Sequence, residues 1–128
     1  LSACLNDRDA DGAMRLLRDF LETVPYCDNA HFEGHYQQML YIIFALLTDY
    51  DILVEQHTAK GRIDITLETS DTIYVMELKF SGSAEEALAQ IDAKRYTDAF
   101  KMKGKEIVEV GMNVSVNDGV TTLDWKIK

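Results

Sequence analysis

Cysteine is scarce in this chain, with only Cys4 and Cys27 among 128 residues. The two form no CxxC pair and match no zinc-ligand spacing, which favours reduced thiols in a cytoplasmic setting over a disulfide framework. Long apolar runs are also missing. The longest, Met39 to Leu47, is far short of the ~20 residues a membrane span requires, and no signal peptide precedes it, so a soluble protein is expected. Basic residues are in deficit, 13 Lys and Arg against 22 Asp and Glu for a net charge of −9, which argues against binding nucleic acid through bulk charge. The deficit is uneven, however. Residues 60–105 carry eight basic and eight acidic side chains, so the negative excess lies outside them and a local basic face there stays compatible with the total. No internal repeat or low-complexity linker interrupts the chain. What remains is a 47% hydrophobic sequence of one domain's length, with enough apolar material for a core. It opens at Leu1 rather than Met, as expected of a domain taken from a longer protein.

The most informative stretch is Gly61-Arg62-Ile63-Asp64-Ile65-Thr66-Leu67 followed by Ile73-Tyr74-Val75-Met76-Glu77-Leu78-Lys79-Phe80. Both segments are apolar and β-branched, and Glu68 to Thr72 between them suits a turn, so a hairpin is predicted. Glu77 and Lys79 interrupt a strand otherwise fit for burial on both faces, and buried charge is costly unless paired or held against a metal. Strand side chains alternate, so Glu77 and Lys79 share a face, and Asp64 joins them if the register permits. Two carboxylates and an ammonium converging on a sheet form a candidate hard-cation site, with the carboxylates on Mg²⁺ and the lysine orienting a water.

Upstream, Asp7-Arg8-Asp9-Ala10-Asp11-Gly12 looks like half a calcium loop, but its twelfth position is Arg18 where a bidentate Glu is needed. These aspartates are better read as capping a helix. Ala13, Leu16, Leu17, Phe20, Leu21 and Val24 then give that helix an apolar stripe ending at Pro25. A second helix is predicted from about Ala30 to Leu47, with Phe32, Tyr36, Met39, Leu40, Ile43 and Leu47 buried. His31 and His35 lie four apart near its start, without the HExxH order of a zinc protease or an obvious third ligand. Glu33 stands out there as a carboxylate within reach of a metal held at the sheet. Ile52 to His57 reads as a strand and Thr58 to Gly61 as its turn. Ser83 caps a third helix from Ala84 to about Lys101, with Ala84, Ala87, Leu88, Ile91 and Ala99 apolar and Gln90 and Tyr96 at the stripe's edge. Two closing strands, Ile107 to Val114 and Thr121 to Ile127, meet around Asn117-Asp118-Gly119. The order of elements predicts an α/β fold, a mixed sheet with helices on both faces.

Asp64, Glu77-Leu78-Lys79 and Gln90 on the next helix resemble the PD-(D/E)xK nuclease superfamily. The chain is most similar to an uncharacterised bacterial branch marked by GRxD, YxxExK and AxxQIxxxxY. Here these are Gly61-Arg62-Ile63-Asp64, Tyr74-Val75-Met76-Glu77-Leu78-Lys79 and Ala87-Leu88-Ala89-Gln90-Ile91 reaching Tyr96, and the likeness extends from about Phe32 to Trp125. Ile63 stands where the superfamily's name has Pro, a position known to vary. The resemblance implies a restriction-endonuclease-like three-layer αβα sandwich with an αβββαβ core. Residues 1–128 would be one such domain with a helical extension over 1–28, commonly C-terminal to an ATPase-like domain of the same chain. It implies metal-dependent hydrolysis of nucleic acid, DNA before RNA. Asp64, Glu77 and the backbone carbonyl of Leu78 would bind Mg²⁺ or Mn²⁺, Lys79 would position water, and Glu33, Gln90 and Tyr96 would support the site. Arg62 would contact a phosphate or pair with Glu55. Two other readings compete: a non-cleaving binding or regulatory module joined to the ATPase-like domain, and a homodimerising domain in which Glu77 and Lys79 form a structural salt bridge.

Overall fold

A computed structural model describes residues 2–23, 32–46, 52–59, 61–80, 82–94, 103–117 and 120–128. The elements are helices α1 (Ser2–Asn6), α2 (Ala10–Thr23) and α3 (Phe32–Leu46), strands β1 (Leu53–Ala59), β2 (Arg62–Glu68) and β3 (Thr72–Phe80), helix α4 (Ala84–Lys94), and strands β4 (Glu106–Asn117) and β5 (Val120–Ile127). They build one five-stranded sheet in the order β1-β2-β3-β4-β5. Neighbours are antiparallel except β3 and β4, which run parallel and are joined through α4. The mixed sheet with helices on both faces, and the restriction-endonuclease-like fold class with it, are as expected. Among the described residues, no helix is long and apolar enough to cross a membrane.

Local chemistry explains where the elements start and stop. The end of α1 is a Schellman motif, in which the Asp9 amide donates to the Cys4 carbonyl and the Arg8 amide to that of Leu5. Arg8 takes the left-handed conformation there, at φ 61°, with its guanidinium on Asp71 and Glu106. Asp9 then caps α2, accepting the Gly12 amide at 2.9 Å. Asp11 of the calcium-like run is also engaged elsewhere, accepting the Trp125 indole N–H at 2.9 Å. Ser83 caps α4 as predicted, accepting the Glu86 amide at 3.0 Å. Gly61 holds φ +82° at the entry to β2, a conformation open to glycine and strained for other residues.

The larger core lies between the sheet and the N-terminal helices. Ile63, Ile65, Leu67, Tyr74, Met76, Leu78 and Phe80 meet Leu5, Met14, Leu17, Leu21, Tyr36, Leu40 and Phe44 there. A smaller cluster of Ile73, Val75 and Ile91, with Leu88 and Ile107, seats α4 on the opposite face. Two predicted stripes need correction. On α2 the buried residues are Ala10, Ala13, Met14, Leu17 and Leu21, whereas Leu16 and Phe20 are 47% and 45% exposed. On α3, Phe44 is buried with Tyr36 and Leu40, while Met39 and Ile43 are only partly covered. Val24, Leu47, Ala99, His31, Cys27 and the helical stretch predicted beyond Lys94 lie outside the described residues, as do the side chains of Phe32 and His35.

Candidate active site on the open half of the sheet

The β2–β3 register settles the question the sequence left open. Asp64 pairs directly with Glu77, and Arg62 with Lys79. Directly opposed strand residues present their side chains to the same face, so all four share the α4 side of the sheet. Their rows run on across every strand. His57 on β1, Asp64, Glu77, Gly111 on β4 and Lys126 on β5 form one row. Arg62, Lys79 and Asn113 lie in the next.

Two features confine the row on its β4 side. At Gly111, a Cβ would collide with the Ala84 carbonyl and the Leu88 amide, so α4 lies directly on the sheet beside Glu77. Glu85–Lys126 at 3.3 Å and Asp92–Lys128 at 2.8 Å show that one flank of α4 faces β5 and the residue after it. At about 100° per residue, the flank carrying Ala87 and the half-buried Gln90 is turned the other way, toward β2. Asn113, itself buried, accepts the Gly82 amide at 2.9 Å and pins the segment that leads from β3 into α4. The stem of Lys79 lies along Gly82.

Glu77 is 0% exposed, the one acidic or basic residue so enclosed among the described residues. The Asp64 side chain is 16% exposed, and its Oδ2 lies 3.7 Å from Arg62 Nε. Arg62 therefore pairs with Asp64 and not with Glu55, which instead approaches His57 at 3.2 Å. From α3, Gln37 Nε2 donates to the Arg62 carbonyl at 3.5 Å. Glu33 sits one turn earlier on that stripe of the helix, but its side chain, like the whole of Tyr96, lies outside the described residues. His57 was not among the residues the sequence singled out. The signal for it was the hairpin register: with Ala59 opposite Arg62, His57 must oppose Asp64.

Two adjacent carboxylates, one of them fully buried, repel each other unless cations offset them, and their oxygens suit a hard divalent ion. Among the described residues no three His, Cys, Asp or Glu side chains converge as a cage. The donor set thus fits an ion such as Mg²⁺, which binds through one or two carboxylates and takes its other positions from backbone, water or substrate. A small cleft lined by His57, Asp64, Thr66 and Val75 opens beside the pair.

The sequence model of a protein family described as the PD-(D/E)XK nuclease superfamily matches residues 31–123. An uncharacterized protein in the vnfD 5′ region of Azotobacter chroococcum mcd 1 is 32% identical over 114 residues, covering 84% of this chain. The chain spans only 22% of that relative's length. No solved structure matches it.

Proposed function

The chain belongs to the PD-(D/E)XK nuclease superfamily, and from that membership, which suggests nuclease activity on nucleic acid with a divalent metal, we propose that it hydrolyses phosphodiester bonds of DNA in preference to RNA. One observation carries the reading: Asp64 and Glu77 are direct cross-strand partners, with Lys79 two residues further on the same face. Asp64, Glu77 and the backbone carbonyl of Leu78 hold Mg²⁺ or Mn²⁺. When bound, such an ion screens the anionic phosphodiester and lowers the pKa of the attacking water. Lys79, its stem kept in place by Gly82, orients that water and offsets charge building on the phosphate. Arg62 neutralises part of the Asp64 charge in the free protein and turns to a phosphate of the substrate. Gln90, on the flank of α4 turned toward β2, supports the water, and Glu33 and Tyr96 complete the surround.

The length of the relative supports a second feature: this domain works as part of a larger chain, in our reading behind an ATPase-like domain. Strand cleavage of single-stranded, duplex and branched DNA and of RNA, with Mg²⁺ or Mn²⁺, tests the activity. Metal-dependent cutting of DNA that Asp64→Ala abolishes is the expected result. Metal binding without cutting of any substrate would replace it with a non-cleaving nucleic-acid module.

A further inference from the structure

Resting on that reading, we propose that His57 is a substrate-contacting residue of the same site, its ring N–H donating to a phosphate oxygen of the nucleic-acid strand where it crosses the edge of the sheet. Exposure rises along the central row from 0% at Glu77, through 16% for the Asp64 side chain, to 72% for that of His57. The row therefore climbs from interior to solvent in one direction. In the other it is closed, because Gly111 lies directly beneath α4. Among the described residues, α4 packs on β3, β4 and β5, leaving this face of β1 and β2 uncovered by it. A polyanion too large to pass under the helix reaches the carboxylate pair across β1, and His57 stands on that approach directly opposite Asp64.

Glu55 precedes His57 by two residues on the same strand face, with one of its oxygens 3.2 Å from Nε2. Both side chains are more than two-thirds exposed, and a contact so open to water holds its partners weakly. A phosphate oxygen can take the place of the Glu55 carboxylate on the ring, while the charge of Glu55 opposes its arrival. The two residues consequently act with opposite sign. Arg62 and Lys79 lie in the adjacent row, so that the same nucleic-acid strand meets cations next to the carboxylates as well as His57 beside them.

The test is steady-state cleavage of an end-labelled DNA oligonucleotide with Mn²⁺, alongside calorimetry of Mn²⁺ alone, on the intact chain and its variants. His57→Ala should raise KM about five- to tenfold with kcat within about twofold, the loss of one charge-assisted hydrogen bond. His57→Asn, which keeps an N–H donor, should recover part of that, and Glu55→Gln should lower KM. Mn²⁺ affinity should be the same in all. An unchanged KM in His57→Ala overturns the inference and leaves the nuclease reading standing, as does a loss of Mn²⁺ affinity, which would make His57 a metal ligand. A parent chain that cuts nothing brings down the nuclease reading and this inference together.

Discussion

Glu77 is a fully buried carboxylate, opposite a second, in a strand whose residues from Thr72 to Leu78 are all buried. In the proposed reading this carboxylate is a metal ligand, and a bound cation would offset the charge of the Asp64–Glu77 pair. Glu77→Gln keeps the shape and removes the charge. The variant should fold with metal-free stability within about 1 kcal/mol of the parent, yet lose the rise in Tm that saturating Mn²⁺ gives the parent. That rise corresponds to about 2.7 kcal/mol at a hundredfold excess over Kd. Thermal scans with and without Mn²⁺ check it, and a metal-induced shift that survives in Glu77→Gln would remove Glu77 from the ligand set. Asp64, Glu77 and Lys79 were legible in the sequence because a charge inside an apolar strand violates the pattern of its surroundings. His57 was not, because the polar residues around it offer no such contrast, and only the register with Asp64 gives it a setting.

At the scale of elements, hairpins and caps were legible because their signals are local: Ser83 before α4, glycine at the left-handed position before β2, alternation along β2. The buried face of α2 was not. Its sequence carries two overlapping apolar stripes, and helical spacing cannot choose between Leu16–Phe20 and Ala10–Met14. Packing against β5, with Trp125 bonded to Asp11 and the Arg18 guanidinium 5.4 Å over the indole ring, turns the second stripe inward. Gly111 was likewise read only as part of a strand, whereas it is the point where α4 rests on the sheet. Gly111→Ala therefore meets backbone of α4, which cannot rotate away as a side chain could. The helix must lift, at a cost of about 1–3 kcal/mol typical of overpacking. Because α4 also borders Glu77 and carries Gln90, cleavage should fall along with stability. A urea midpoint unchanged from the parent would show that α4 does not bear on the sheet there.

For the whole molecule, pH sets local charge pairing against overall repulsion. The net charge of −9 repels itself, and acidification relieves that, but salt at 0.15 M screens charges beyond about 8 Å. Short pairs are screened far less. Hydrogen bonds from Lys103 and Lys105, each at 2.8 Å, hold the Glu68 carboxyl below the usual glutamate range and tie β2 to the segment entering β4. Asp71 is lowered by its bonds to Thr72 and Arg8, and Asp92 by that to Lys128. A carboxyl lowered in the folded state contributes stability that is fully present above its unfolded pKa and lost as pH falls through the folded one. Glu109, raised by burial and then by Asp92, has the opposite sign and favours the fold at low pH. Asp71 and Asp92 are each 43% exposed, so solvent screens what they contribute, whereas the Glu68 side chain is only 15% exposed, and the stability it supplies should be lost on acidification below the ordinary carboxylate range. Glu68→Gln isolates the least exposed of these lowered carboxylates. It should cost about 1 kcal/mol near neutrality, and the gap between variant and parent should close as pH falls below the unmodified glutamate value of 4.5. Urea denaturation from pH 7 to pH 3 at fixed salt measures both curves. A gap that stays constant over that range would mean that the two lysines do not hold Glu68 ionised.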